Sequence, residues 1–434
     1  MVVTPAEHAQ PRFVASRARV VRRVKGSGSH PCNGRAMSSV RCAAARRGLF
    51  ACALASVVIA GAAAPATATD VSSAAVRAKI AAAVEHERVV FGGKTPVPGV
   101  LVGVLDGNGH SYLHGFGYEN LKTKEPMRLN DHFRIGSNTK VFVITVLLQL
   151  VDEGKLSLED PLSKFNIGVK VPNANHITVR QACEMRSGLF EAYDVPQLGT
   201  GATVTPDSMW DPHTLIKWAV AQKPYFAPGK AYKYSNTNYL ILGLVVEAVT
   251  HDTIEHQIDK RILVPYNLSN TSFPTTMAMP APWAHGYGLD AHKNWEDVSN
   301  TIPVSLMWSA GAMISDMFDM NRWVKLYVTG KTNGAKTQRE RIKCIWTGEG
   351  NLSFGLGIGC SAGWFGYTGG LPGYNTATYY FPATGVTVTA WVELQSDSPF
   401  PGVANAVFRD IARIMTPANV PFLKTGTPSG KSGL

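Results

Sequence analysis

Strand chemistry is confined to the two ends of this chain, and helical chemistry fills the middle. Gly99 to Leu105 reads as a short apolar strand, Asp106-Gly107-Asn108-Gly109 as a tight turn, and His110 to Phe116 as the returning partner. The pattern recurs late, where Asn375 to Phe381 and Val386 to Leu394 flank Pro382-Ala383-Thr384-Gly385. An isolated hairpin is marginal in water, so the distant segments are expected to assemble into one antiparallel sheet. Ala74 to Glu87 and Val403 to Met415 read as terminal helices packed on it. From Leu156 to about Val298 helical stretches alternate with Pro- and Gly-rich loops, Tyr239 to Thr250 being the clearest helix. The expectation is an α+β architecture with a mostly helical inserted lobe, and a cleft between the two parts as the natural place for a site.

Val141 to Val151 is apolar nearly all round and too long for a strand, so it predicts a buried helix, closed by Gly154. Ser137-Asn138-Thr139-Lys140 stands at its head. A serine there lies at the positive dipole end, near free backbone N–H groups, and Lys140 falls on the same face one turn later. A partly desolvated lysine can lose its proton and help activate the serine. Read alone, the tetrapeptide is also served by an N-cap and a surface lysine, but the buried helix behind it argues against a solvated Lys140. Tyr234-Ser235-Asn236 occupies a loop at a helix entrance. Its phenol can relay protons if nearby cations lower its pKa, and the amide can hold a substrate carbonyl. Taken singly, the triplet reads first as turn residues with an Asn cap. In Tyr367-Thr368-Gly369-Gly370 the small residues let a substrate lie against a strand edge, where backbone N–H groups can face an oxyanion. Taken singly, this is a Gly-rich turn between strands.

In this order the three motifs resemble the penicillin-recognising serine hydrolases, within them the class C β-lactamase and D-alanyl-D-alanine carboxypeptidase branch. The resemblance runs from about Ala74 to Met415. It includes Phe133-Arg134-Ile135-Gly136, the run from Leu147 to Leu156, Arg186-Ser187-Gly188-Leu189, His285-Gly286-Tyr287 and Ser309-Ala310-Gly311-Ala312. It implies a β-lactamase/transpeptidase-like fold, Ser137 as nucleophile, Lys140 as its activator and Tyr234 as proton relay. Asn236, Tyr367, Thr368 and Gly369 would contact substrate, and the backbone N–H groups of Ser137 and Gly370 would form the oxyanion hole.

The implied chemistry is acyl transfer through a Ser137 ester, without metal or organic cofactor. D-Ala-D-Ala carboxypeptidase-like action on cell-wall peptides leads. Esterase or other peptidase or amidase activity follows closely, then β-lactamase action, and a non-catalytic cell-wall binding protein is the reading from a different class. The partner would thus be a small peptide, β-lactam or ester, with peptidoglycan behind it. Two departures bear on the substrate. The position of Tyr367 is usually Lys or His, whereas a tyrosine is neutral at pH 7. The segment Phe354 to Cys360 also has no arginine for a terminal carboxylate.

The net charge of +11 does not point to nucleic acid, because of where it sits. Ten basic residues and a single acid, Glu7, fall within residues 1–68, leaving 32 basic and 30 acidic groups beyond. Arg46 and Arg47, the apolar run Leu49 to Ala64, and Pro65-Ala66-Thr67-Ala68 read as a secretory leader over residues 1–68, with a start at Met37 as an alternative. Removing it would leave an exported chain without a stable membrane span. The hydrolase domain is placed at 69–420, with an α/β lobe at about 69–135 and 302–420, a helical lobe at about 136–301, and a loose tail over 421–434. An oxidising compartment permits a bridge, and Cys344 with Cys360 would close a short loop. Cys183 reads as a buried thiol, and no metal site is indicated.

Overall fold

The computed structural model describes residues 69–200, 204–394 and 402–423. The expected leader and residues 424–434 of the expected tail lie outside the described residues. The first helix, α1, spans Ala74–Phe91, one turn longer than its apolar pattern suggests. The first hairpin pairs β1 (Gly99–Leu105) with β2 (Ser111–Asn120). Asp106 sets its turn by accepting from the Asn108 and His110 N–H groups, both at 2.9 Å. The late hairpin pairs β8 (Tyr374–Phe381) with β9 (Val386–Val392).

The two hairpins do join. β1 pairs antiparallel with β9, Val100 opposite Val392, and this is the seam of a nine-stranded sheet. With β3 (Glu125–Pro126), β4 (Ile345–Trp346), β5 (Leu352–Phe354), β6 (Gly359–Ser361) and β7 (Trp364–Leu371), its order is β3-β2-β1-β9-β8-β7-β6-β5-β4. β4, β5 and β6 were not foreseen, since runs of two or three residues carry no usable period. The Gly-rich stretch at 367–370 is strand, inside β7. Cys344 and Cys360 are disulfide-bonded across this edge, and Cys183 is a buried free thiol.

Period two then sorts the side chains. Val100, Val102 and Val104 of β1, with Val388, Ala390 and Val392 of β9, pack with Ile80 and Val84 of α1 and with Val407, Phe408 and Ile411 of α6 (Val403–Met415). Leu101 and Trp391 point the other way, into the larger core shared with the helices of the middle. There α2 (Thr139–Asp152) is buried along almost its whole length, beside α3 (Thr237–Thr250). α4 (Val304–Gly311) and α5 (Met317–Val328) complete that side, Asn321 of α5 accepting from Thr389 Oγ1 at 2.6 Å. Among the described residues no helix is long and apolar enough to cross a membrane.

One end of the seam carries buried acids. Glu119, Asp131 and Glu393 are all buried, and among the described residues Glu119 Oε2, Asp131 Oδ1 and both Glu393 oxygens have no donor. Burial, then Asp131 beside it, pushes Glu119 up to about 8 against the pull of Arg128, which donates to Oε1 at 2.6 Å. Burial likewise holds Glu393 well above the usual range. A carboxyl raised above its unfolded value of about 4.3 stabilises the fold fully below that pH. The contribution fades as pH rises towards the folded value. The stability of Glu119→Gln relative to wild type should therefore improve as pH goes from about 5 to about 8 in urea denaturation. A pH-independent difference would show that Glu119 is ionised throughout.

Candidate active site

Ser137 lies in a single 3-10 turn, Gly136–Asn138, that runs directly into α2. The turn is pressed onto the sheet at two glycines. Gly136 has φ +52°, and a Cβ there would come within 2.8 Å of the Gly370 nitrogen. A Cβ on Gly369 would overlap the Ile135 carbonyl oxygen. This approach seats Ser137 against β7.

The edge it meets is free. Leu371 pairs with Tyr374 around a two-residue turn and Gly370 with Asn375, while β6 pairs only as far as Gly366. In an antiparallel ladder hydrogen-bonded and open pairs alternate, so the open pair Gly370–Asn375 turns the Gly370 N–H away from β8 and towards Ser137. Thr368 has the same parity. The backbone N–H groups of Ser137 and Gly370 are thereby brought together, as an oxyanion hole requires.

Two side chains converge on the serine oxygen, Lys140 and Tyr234. Lys140 Nζ donates to Ser137 Oγ at 2.9 Å, to Asn236 Oδ1 at 2.7 Å and to the Ala310 carbonyl at 2.6 Å. Tyr234 Oη donates to Ser137 Oγ at 2.8 Å. Lys140 is fully buried, 5.2 Å from the Tyr234 ring centroid and 5.4 Å from that of Tyr239. Burial brings its ammonium down to about 7, opposed by the charge of Glu191. The acceptor set matters. Asn236 Oδ1 and the Ala310 carbonyl can only accept, so a neutral amine spends its two hydrogens there and aims its lone pair at the serine hydroxyl. The geometry is that of a base poised to take the Ser137 proton.

The Ala310 carbonyl reaches the amine through a break in α4. Trp308 adopts φ 33°, ψ −130°, a conformation costing ~1–3 kcal/mol for such a residue. It is held by its indole N–H on Glu255 Oε1 at 2.8 Å, and the next residue by Ser309 Oγ on the Tyr239 carbonyl at 2.9 Å.

Tyr234 differs from the sequence expectation. No cation lowers its phenol; burial pushes it up, so it serves as a neutral donor to Ser137. Asn236 stands at the N-cap position of α3, yet its side chain makes no capping bond. Its Oδ1 faces Lys140 and its Nδ2 donates to Glu191 Oε1 at 3.1 Å, so both ends of the amide are engaged. Tyr367 is 3% exposed, edge-on to Phe354 at 5.8 Å, and among the described residues its hydroxyl has no hydrogen-bond partner. Burial, with Tyr234 alongside, keeps that phenol neutral. Thr368, half-buried, lies on the free edge.

The sequence from residue 76 to 412 matches the family described as Beta-lactamase. The chain belongs to the beta-lactamase family. This beta-lactamase-family chain is 25% identical over 296 residues to PbpX of Bacillus subtilis (strain 168), covering 68% of this chain and 70% of PbpX, whose name assigns it provisionally to the penicillin-binding proteins. Its fold is similar to a D-stereospecific amidohydrolase from Streptomyces sp., at TM-score 0.65 and 28% identity over 73% of this chain and 94% of that one. It is also similar to the D-amino acid amidase from Ochrobactrum anthropi SV3, at TM-score 0.69 and 21% identity over 78% and 98%. It is a serine hydrolase of this family by sequence and fold.

Two contributors were not read from sequence. The Ala310 carbonyl lies in Ser309-Ala310-Gly311-Ala312, a stretch noted for its resemblance only. Glu191 follows Arg186-Ser187-Gly188-Leu189, and an acid flanked directly by Leu189-Phe190 and Ala192-Tyr193 is the signal that could have found it. Among the described residues, the one convergent group of metal-capable side chains is Asp70, Asp106 and His110, at the far end of β1 from Ser137. For the serine site, labelling of Ser137 by a fluorophosphonate should rise with pH through about 7 as Lys140 loses its proton. Lys140→Ala should slow it by roughly 10²–10⁴. A flat profile from about pH 5 to 9 would remove Lys140 from the role of base.

Proposed function

We propose that this chain hydrolyses amides through a Ser137 acyl-enzyme, preferring substrates of D configuration that do not end in a free carboxylate. Lys140 takes the serine proton as Oγ attacks the carbonyl. The Ser137 and Gly370 N–H groups receive the developing oxyanion, and the protonated Lys140 and neutral Tyr234 are placed to return a proton to the leaving amine. Water then releases the acyl group by the reverse path. The observation that carries this reading is the triple engagement of Lys140 Nζ, which leaves the serine as its only reversible partner.

Support for the substrate class comes from Tyr367. Among the described residues Lys140 is the sole cation hydrogen-bonded to Ser137, Tyr234, Asn236 or Tyr367, and it is committed to the chemistry. A carboxylate wants a charged or bidentate partner, and a buried neutral phenol supplies neither. The likeness in sequence as well as fold to the D-stereospecific amidohydrolase of Streptomyces sp. supports a D-configured amide as the substrate of this chain. D-Ala-D-Ala carboxypeptidase action is the second reading, favoured by the likeness to PbpX. An exported location fits the Cys344–Cys360 disulfide, which persists in an oxidising compartment.

The test is a panel of D-amino acid amides, a D-Ala-D-Ala peptide, a short-chain ester and a fluorescent penicillin, with Ser137→Ala as control. Amides should lead the D-Ala-D-Ala peptide in kcat/KM, and Tyr367→Lys should move the balance towards the peptide by about tenfold or more, the worth of one charged hydrogen bond. A wild-type preference for the peptide would replace the amidase reading with the carboxypeptidase. Neither label nor turnover on any member would sink the hydrolase assignment.

A further inference from the structure

Glu191 is 8% exposed and no cation among the described residues lies in salt-bridge contact with it, yet it is saturated with donors from the site. Its Oε2 accepts from the Asn236 backbone N–H at 2.7 Å. Its Oε1 accepts from Asn236 Nδ2 at 3.1 Å and from the Tyr193 N–H at 3.0 Å. An Asn amide can be turned either way, and a carboxylate accepts only, so Glu191 dictates that the NH₂ faces it and Oδ1 faces Lys140. The chain Lys140 Nζ to Asn236 to Glu191 is continuous, and each link points hydrogen towards the carboxylate.

We propose that Glu191 is a positioning residue for acylation: through the Asn236 amide it fixes the acceptor that orients Lys140, and its charge favours the ammonium formed as Ser137 loses its proton. This rests on the acyl-enzyme reading. When Ser137 Oγ attacks, its proton passes to Lys140 Nζ, turning a neutral amine into a cation in a site shielded from bulk water. Glu191 is the counter-charge in reach. The other groups facing the pair are phenols held neutral by burial: Tyr234 and Tyr239 beside Lys140, and Tyr193 and Tyr225 beside Glu191, with the exposed Asp194 next to Tyr225 and the exposed Lys233 Nζ 5.6 Å from the Tyr225 ring centroid. Burial raises the Glu191 carboxyl, while the donated hydrogen bonds and Lys140 hold it down.

In Glu191→Gln the charge goes and one acceptor becomes a donor, which conflicts with the three N–H groups already there. Two consequences follow for fluorophosphonate labelling of Ser137. The rate at pH 8 should fall about tenfold or more, as Asn236 loses its orientation. The acid limb of the pH profile should also move down by about one unit, because Lys140 loses its nearby opposite charge. Glu191→Asp keeps the charge, so its limb should stay near the wild-type position even where its rate falls. A Glu191→Gln limb unmoved from wild type, whatever the rate, would reduce Glu191 to a packing residue and overturn the proposal. Should Glu191→Gln fail to fold by circular dichroism, Asn236→Leu breaks the relay at its middle and must itself lower the limb; an unmoved limb there overturns the proposal equally. A wild type that the probe does not label would overturn the acyl-enzyme reading and this inference together, whereas labelled variants with fixed limbs overturn this inference alone.

Discussion

Lys140 Nζ is sealed from water, so protein groups must supply every hydrogen-bonding direction an amine has. Most of the site can be understood as the answer to that demand. Two directions go to groups that only accept, Asn236 Oδ1 and the Ala310 carbonyl, and the third goes to the serine hydroxyl, which can reverse its polarity. Each acceptor has its own support. Glu191 keeps the Asn236 amide from flipping, and the strained Trp308 brings the Ala310 carbonyl round to the amine. Strain of this kind persists where neighbours over-determine it, and here Glu255 and the Tyr239 carbonyl do so.

The same burial explains why the fold takes its shape around the serine. The amine is desolvated at the head of a helix apolar on all sides, which in turn needs a core on all sides. α3 and α4 cover α2 on one side, and the inward row of β1, β8 and β9 lies in the same core. The outward row of that sheet would then face water, and α1 and α6 cover it. The chain's two ends are needed for a site in its middle. Contact between helix head and sheet edge is then limited by backbone, and Gly136 and Gly369 are the residues that permit it.

How much of this was legible follows from which physics wrote it. β1 and α6 were placed to the residue, because a strand buried on both faces and a strongly two-faced terminal helix both leave period and composition in the sequence. The ordered motifs located Ser137, Lys140, Tyr234, Asn236 and Gly370 where the structure gathers them. β4, β5 and β6 escaped, since tertiary pairing and the disulfide define them more than local propensity does. Glu191 escaped because its meaning lies in the direction of another residue's amide. Whether a cation lowers the Tyr234 phenol was left open by the sequence, because burial, which sequence shows poorly, decides it and pushes it up.

The tyrosine at 367 belongs to the same account of charge. A lysine at that position would set a second cation beside Tyr234, favouring a phenolate and opposing the Lys140 ammonium. Proton traffic would then be shared among three groups. With Tyr367 neutral and Tyr234 held as a donor, Lys140 and Ser137 are left as the pair between which a proton can move at neutral pH, with Glu191 as counter-charge. Losing the cation therefore changes more than the grip on a carboxylate. It leaves the charge balance of acylation resting on the buried acid behind Asn236. A substrate that brought its own carboxylate to Tyr367 would meet a neutral phenol there in place of a cation, which is the physical reason for the proposed preference for a neutral amide over a charged peptide terminus.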